Sequence, residues 1–202
     1  MVQIRLGALM NRYPIIFENV LPISLFEAMN AELTEWFFGN GTYVANKNSD
    51  SKFFGQLSKH DRMIYYNVGT HILLKLKKHI QRDLRIAKIQ VNGKLFGECP
   101  EFHVDFEKVD NCFTFVLFLS EEWDTTWGGE FVARDPSTNQ YNYVPYIPNG
   151  GVVIPSHWQH NGFAPNTPKA GMRKSVAFMY CDRDDFEVID KRYPQMKLSL
   201  FA

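Results

Sequence analysis

The chain has 202 residues, 45% of them hydrophobic and 15% aromatic with 17 Phe, which is enough to predict a packed globular interior. Its 22 Lys and Arg balance 22 Asp and Glu, so no bulk charge drives it toward a nucleic acid or a membrane surface, and neither is expected as a partner. The three cysteines, Cys99, Cys112 and Cys181, are odd in number and form no C-x-x-C, which argues against a disulfide framework or a structural zinc site and fits a reducing compartment. The first residues lack a basic stretch followed by an apolar one, and no segment approaches the roughly 18 consecutive apolar residues of a membrane span. The expectation is a soluble, cytoplasmic protein.

In chain order, Ile15-Ile16-Phe17 reads as a short strand closed by Asn19 and Pro22. A helix is predicted next, with Ser24 as N-cap and Glu27 three residues on. Leu25, Phe26, Met29, Leu33, Trp36 and Phe37 recur at helical spacing, and Gly39-Asn40-Gly41 ends the run. Thr42 to Lys59 is largely polar and reads as a surface loop with one short strand, of a kind that can cover a site. A second helix is predicted from about Lys59 to Arg85, with Met63, Ile64, Ile72, Leu73, Leu76, Ile80 and Leu84 on its apolar face and Gly69 as an interruption. Its basic residues, Lys75 to Arg85, read as a solvated face.

From Ile86 the pattern becomes strand-rich. Strands are predicted at Ile86–Val91, Lys94–Phe96, Glu101–Phe106, Phe113–Leu119, Glu130–Arg134, Tyr141–Tyr146, Gly151–Ile154 and Lys174–Cys181. Turn residues separate them, Asn92-Gly93 and Gly128-Gly129 among others, as in a sandwich, jelly roll or barrel. Phe113–Leu119 is apolar on both faces, as a central strand between two packed layers should be.

Within Phe102-His103-Val104-Asp105-Phe106, a strand would project His103 and Asp105 from one face. An imidazole and a carboxylate so placed are two thirds of a facial triad for non-haem Fe(II). Taken alone, His-x-Asp is more often a hydrogen-bonded pair, so the reading depends on a third ligand. The segment from Gly150 to His160 offers two candidates, His157 and His160. Further on, Arg173 and Ser175 would share one strand face, with Lys174 turned away. A planar guanidinium there suits a carboxylate through two parallel hydrogen bonds.

These landmarks come in a familiar order: His103-x-Asp105, the apolar Phe113–Ser120 run, Trp123, Trp127-Gly128-Gly129-Glu130, Pro148 with Gly150-Gly151, Pro155-Ser156, His160 and Arg173-Lys174-Ser175. The run from Gly93 to Asp182 resembles the catalytic core of the 2-oxoglutarate/Fe(II)-dependent dioxygenases, in their prolyl 4-hydroxylase-like branch. The resemblance implies a mainly β fold, a double-stranded β-helix (jelly-roll, cupin-like) core with N-terminal helices packed on one sheet. It implies a single domain over residues 1–202: helical support over 1–85, a catalytic core over 86–182 and a tail over 183–202.

By the same resemblance, His103, Asp105 and His160 are the metal ligands, with His160 preferred over His157. Arg173 and Ser175 hold the distal carboxylate of 2-oxoglutarate. Fe(II), 2-oxoglutarate and O2 are the implied cofactors and co-substrates, with room for ascorbate. The implied activity is hydroxylation of an unactivated C–H, most of all a prolyl residue in a peptide or protein, releasing succinate and CO2. The alternatives are the same chemistry on another side chain, a free amino acid or a nucleobase, or a non-catalytic jelly-roll binding module. The sequence departs from the family in one respect: where related enzymes often place a co-substrate-binding Tyr ahead of H-x-D, it has Ile89-Gln90-Val91-Asn92. Trp123, Trp127 and Trp158 are candidates for a peptide groove or for core packing.

Overall fold

The computed structural model describes residues 13–31, 33, 36–40, 51–55, 59–98, 101–106 and 111–185, with 36–40, 51–55 and 59–62 described by backbone alone. Among the described residues, ten strands and two α-helices follow in the order β1 (Ile15–Phe17), α1 (Ile23–Ala31), β2 (Trp36–Asn40), β3 (Ser51–Gly55), α2 (Lys59–Leu76), β4 (Leu84–Lys94), β5 (Cys112–Phe118), β6 (Phe131–Arg134), β7 (Tyr141–Val144), β8 (Gly151–Pro155), β9 (His160–Gly162) and β10 (Arg173–Asp182). They form two antiparallel sheets, a large one in the order β1-β8-β5-β10-β4-β3-β2 and a small one in the order β7-β6-β9.

The burial pattern explains the layers. All seven residues of β5 are buried. Phe113, Phe115 and Leu117 pack with Val153, Val176, Phe178 and Tyr180 beneath Phe26 and Met29 of α1 and Val68, Ile72 and Leu76 of α2. Val116 and Phe118 point the other way, into a second cluster with Phe131, Ala133, Val144, Tyr146, Val152 and Ile154 between the two sheets. The central strand is therefore apolar on both faces because it separates a helix layer from the interior of a jelly roll. Cys112 and Cys181 are buried free thiols on paired positions of β5 and β10.

Several boundaries differ from the sequence reading. The first helix stops at Ala31, and Trp36–Asn40 instead pairs with Ser51–Gly55 as a hairpin. Aromatic residues fit a pleated surface well, and here tertiary pairing overrides the helical spacing. Ser24 lies inside the first turn, and the Pro22 carbonyl receives the N–H groups of Leu25 and Phe26. The second helix ends at Leu76. Ile80 and Leu84 still reach the same core, but from a turn and from β4. Gly69 does not interrupt α2: a Cβ there would lie 2.9 Å from both Ile86 Cδ1 and Phe178 Cδ1, so glycine lets the helix lie close on the sheet. Asn92-Gly93 is no turn either, because both residues pair with β10 and carry β4 on to Lys94. The segment expected as a strand around His103 makes only a single bridge, to His160. That bridge and β9, which the sequence reading missed, build the site.

Candidate metal centre and anion pocket

Reciprocal backbone bonds, His103 N–H to His160 O at 3.1 Å and His160 N–H to His103 O at 2.9 Å, set the two histidines directly opposite each other. Their rings lie 4.5 Å apart between centroids. Two residues on, the N–H groups of Asp105 and Phe106 both donate to the Ser156 carbonyl, at 3.0 and 3.3 Å, which turns the chain and aims the Asp105 carboxylate back at the rings. His103 and Asp105 thus converge through a bridge and a turn rather than through the regular strand alternation expected from H-x-D.

Asp105 Oδ2 lies 3.4 Å from His160 Nε2, and Oδ1 lies 3.8 Å from His103 Nε2. One donor atom from each of the three residues falls within 4.8 Å of the others. The far nitrogens settle the tautomers. His160 Nδ1 is 2.9 Å from the Trp158 carbonyl, and His103 Nδ1 is 3.3 Å from that of Glu101. A carbonyl only accepts, so Nδ1 carries a proton, and in the neutral ring each Nε2 turns its lone pair inward. Two imidazole lone pairs and a carboxylate facing one another make a site for a cation, and the N,N,O set on one side of it suits a divalent transition metal.

The carboxylate is held from behind. Thr114 Oγ1 donates to Asp105 Oδ2 at 2.5 Å and lies 2.9 Å from Ser156 Oγ. Burial alone would raise the Asp105 carboxyl. The positive charge that His160 and His103 carry when protonated, the Thr114 hydroxyl and Lys88 more than offset it, and the net shift is downward, favouring the anion a metal needs. Thr114→Val keeps the side-chain shape and removes the hydroxyl. It is expected to weaken divalent-metal affinity about 10- to 100-fold, the usual cost of losing a partner that orients a ligand. Calorimetric titration with Mn(II) checks this, and an unchanged affinity would show that the hydroxyl does not orient the carboxylate.

The same pocket carries Arg173 and Ser175. Arg173 is 2% exposed. Its Nε donates to the Gly129 carbonyl at 2.6 Å, its Nη1 donates to Ser175 Oγ at 3.2 Å, and the guanidinium carbon sits 4.7 Å over the Tyr146 ring. Tyr146 is itself fixed, donating to the Lys174 carbonyl and accepting from the Ser120 N–H at 2.7 Å. Burial pushes the guanidinium down to about 10, with Tyr146 and Glu130 pulling the other way, so it stays cationic at neutral pH. Its Nη2 is buried and has no acceptor among the described residues. A buried, charged donor without an acceptor costs free energy unless a ligand supplies one. Gly162 provides the room, since a Cβ there would lie 2.9 Å from Nη2.

His157 is half-buried on the turn after β8 and is not part of the pocket. Lys174 pairs with Gly93 on the opposite face from Arg173. Trp158 is core, and its carbonyl orients His160. The Trp123 ring lies tilted against Tyr146, 4.6 Å between centroids, and its Nε1–H donates to the Gly128 carbonyl, so it supports the arginine platform rather than lining a groove. Gln90 and Asn92 line the pocket and are bonded to each other at 2.6 Å. Sequence reasoning missed Thr114, Ser156, Tyr146 and Lys94. Thr114 had a signal, as the one hydroxyl in an otherwise apolar buried strand, where it must find a partner.

No protein-family model matches the sequence, and no curated protein sequence does. Solved structures do match. A prolyl hydroxylase from Trichoplax adhaerens, in complex with a hypoxia inducible factor oxygen degradation domain peptide, is 15% identical with a TM-score of 0.68, over 87% of this chain and 86% of that one. A Pseudomonas putida prolyl-4-hydroxylase is 17% identical with a TM-score of 0.61, over 84% of this chain and 92% of that one. HygX from Streptomyces hygroscopicus, with nickel and 2-oxoglutarate bound, is 10% identical with a TM-score of 0.62, over 84% and 83%. The fold is therefore the double-stranded β-helix of the 2-oxoglutarate/Fe(II) oxygenases. Among the described residues, no helix is long and apolar enough to cross a membrane.

Proposed function

We propose that the protein is an Fe(II)- and 2-oxoglutarate-dependent dioxygenase that hydroxylates an unactivated C–H, with a prolyl residue of a peptide or protein as the favoured substrate. The observation that carries this reading is the pairing, in one pocket, of an inward-facing His103–Asp105–His160 set with a buried guanidinium that has an unpaired donor. A three-residue facial set leaves coordination positions free for other ligands. Bound Fe(II) supplies redox chemistry in which O2 and 2-oxoglutarate give succinate, CO2 and one oxygen atom added to the substrate carbon.

The chain's own residues do the rest. His103 and His160 offer Nε2, held in place by the Glu101 and Trp158 carbonyls, and Asp105 offers its carboxylate, held by Thr114. Arg173 and Ser175 receive the distal carboxylate of 2-oxoglutarate. Val116, Phe131, Ala177 and Met179 give the pocket an apolar wall. No side-chain nucleophile or general base is needed.

The peptide reading draws on the prolyl hydroxylase neighbours and on the rings beside the metal ligands. Phe102, next to His103, meets Tyr141 at 5.6 Å and Phe163 at 6.2 Å between centroids. Aromatic faces of this kind dock proline-rich segments.

The test is one incubation of the protein with Fe(II), 2-oxoglutarate, O2 and a proline-rich peptide, read by mass spectrometry. Succinate and a proline carrying one added oxygen are expected together. Succinate without peptide oxidation would keep the oxygenase and move the substrate to another side chain, a free amino acid or a nucleobase. Absence of both products from metal-loaded protein would favour a binding module.

A further inference from the structure

The pocket holds a second buried cation. Lys94, 8% exposed, ends β4 and pairs directly with Arg173 at the start of β10. Directly opposed residues of an antiparallel ladder share a face, with Cβ atoms about 5 Å apart. Both side chains line the pocket.

Both also converge on two consecutive residues of β9. Lys94 Nζ donates to Asn161 Oδ1 at 3.0 Å, while the Arg173 guanidinium occupies the space left by the missing side chain of Gly162. An anion that meets the free Nη2 of Arg173 therefore shares its pocket with the Lys94 side chain, which rises from the directly opposed ladder position. Like charges set opposite each other on a ladder repel, and an anion between them turns that repulsion into two attractions.

We propose that Lys94 is a co-substrate-binding residue. With Arg173 it forms a two-cation clamp for the distal carboxylate of 2-oxoglutarate, and it thereby sets the preference for a 2-oxo dicarboxylate over a 2-oxo monocarboxylate. Gln90 and Asn92 continue the same face of β4 along the pocket and give the body of the dianion a polar wall without further charge. The inference rests on the 2-oxoglutarate reading of the site.

The experiment titrates Mn(II)-loaded protein with 2-oxoglutarate and with pyruvate, which lacks the distal carboxylate, by calorimetry. The 2-oxoglutarate-induced rise in melting temperature is followed in parallel. Lys94→Gln keeps a donor for Asn161 and removes the charge. It is expected to weaken 2-oxoglutarate about 10- to 100-fold, the loss of one charge-assisted hydrogen bond, and to leave pyruvate unchanged. Lys94→Arg keeps the charge and is expected to retain the preference.

Equal weakening of both ligands, or of neither, overturns the clamp. So does a Lys94→Gln protein that binds 2-oxoglutarate normally and is impaired only toward the oxidised substrate, which would place Lys94 on the substrate side. Arg173→Met separates the two failures. If it abolishes 2-oxoglutarate binding while Lys94→Gln does not, only the clamp is wrong. If the native protein does not bind 2-oxoglutarate, the co-substrate reading fails and the clamp falls with it.

Discussion

Asp105→Asn is expected to abolish tight divalent-metal binding and, with it, all turnover. The substitution is nearly isosteric, so the bridge between His103 and His160 and the turn on Ser156 should persist. What disappears is the single negative charge in a group that otherwise contributes two neutral imidazoles. Residues that merely orient a metal ligand cost about 10- to 100-fold in affinity when removed. Loss of the charged ligand itself should exceed that, a fall of more than about a hundredfold. The asparagine NH2 adds a second difficulty. One of its two atoms must face the Thr114–Ser156 hydroxyls and the other the metal position, and neither orientation restores an anion. The measurement is calorimetric titration with Mn(II), beside circular dichroism to show an unchanged fold. Native-like affinity in a folded Asp105→Asn protein would remove Asp105 from the metal site. His160→Ala should act in the same direction, whereas His157→Ala should leave affinity unchanged, because His157 stands apart from the three convergent side chains.

What the sequence disclosed, and what it hid, follows from the range of the interactions. The fully apolar β5 announced a central strand because its burial on two faces is written into seven consecutive residues. The order of His103, Asp105, His160, Arg173 and Ser175 was legible for a different reason: it resembles the motif order of a known family, and no local pattern singles these residues out. The mechanism of convergence was not legible. Two histidines 57 positions apart meet through one reciprocal backbone bridge, and no local pattern encodes a pairing of that separation. Helix ends failed for a related reason. Trp36, Ile80 and Leu84 satisfy helical spacing, but strand pairing and a tight turn deliver them instead, and propensity yields to tertiary bonds. Lys94 was hidden by its neighbours. After Asn92-Gly93 it reads as the start of a new strand beyond a turn, and only the continuous ladder with β10 shows it opposite Arg173.

Gly162→Ala is expected to weaken 2-oxoglutarate binding about 10- to 100-fold without altering any charged or hydrogen-bonding side chain. The added methyl would stand 2.9 Å from Arg173 Nη2 and 3.0 Å from both Cζ and Nη1, too close for any of them. A free arginine would swing away at little cost. This one is pinned at Nε by the Gly129 carbonyl, at Nη1 by Ser175 and across its face by Tyr146. The guanidinium must therefore either break the 2.6 Å bond to Gly129 or turn its open Nη2 edge out of line. Arg173→Met sets the scale. It removes up to two charge-assisted hydrogen bonds of about 1.5–3 kcal/mol each, and should weaken binding at least about a hundredfold. Mn(II) affinity should be native-like in both variants, since neither residue belongs to the convergent histidine–carboxylate group. Isothermal titration with each ligand in turn reads the two effects apart. If Gly162→Ala lowered metal affinity and left 2-oxoglutarate untouched, the methyl would be acting through His160 two residues away, and the anion would have to sit elsewhere than against Arg173.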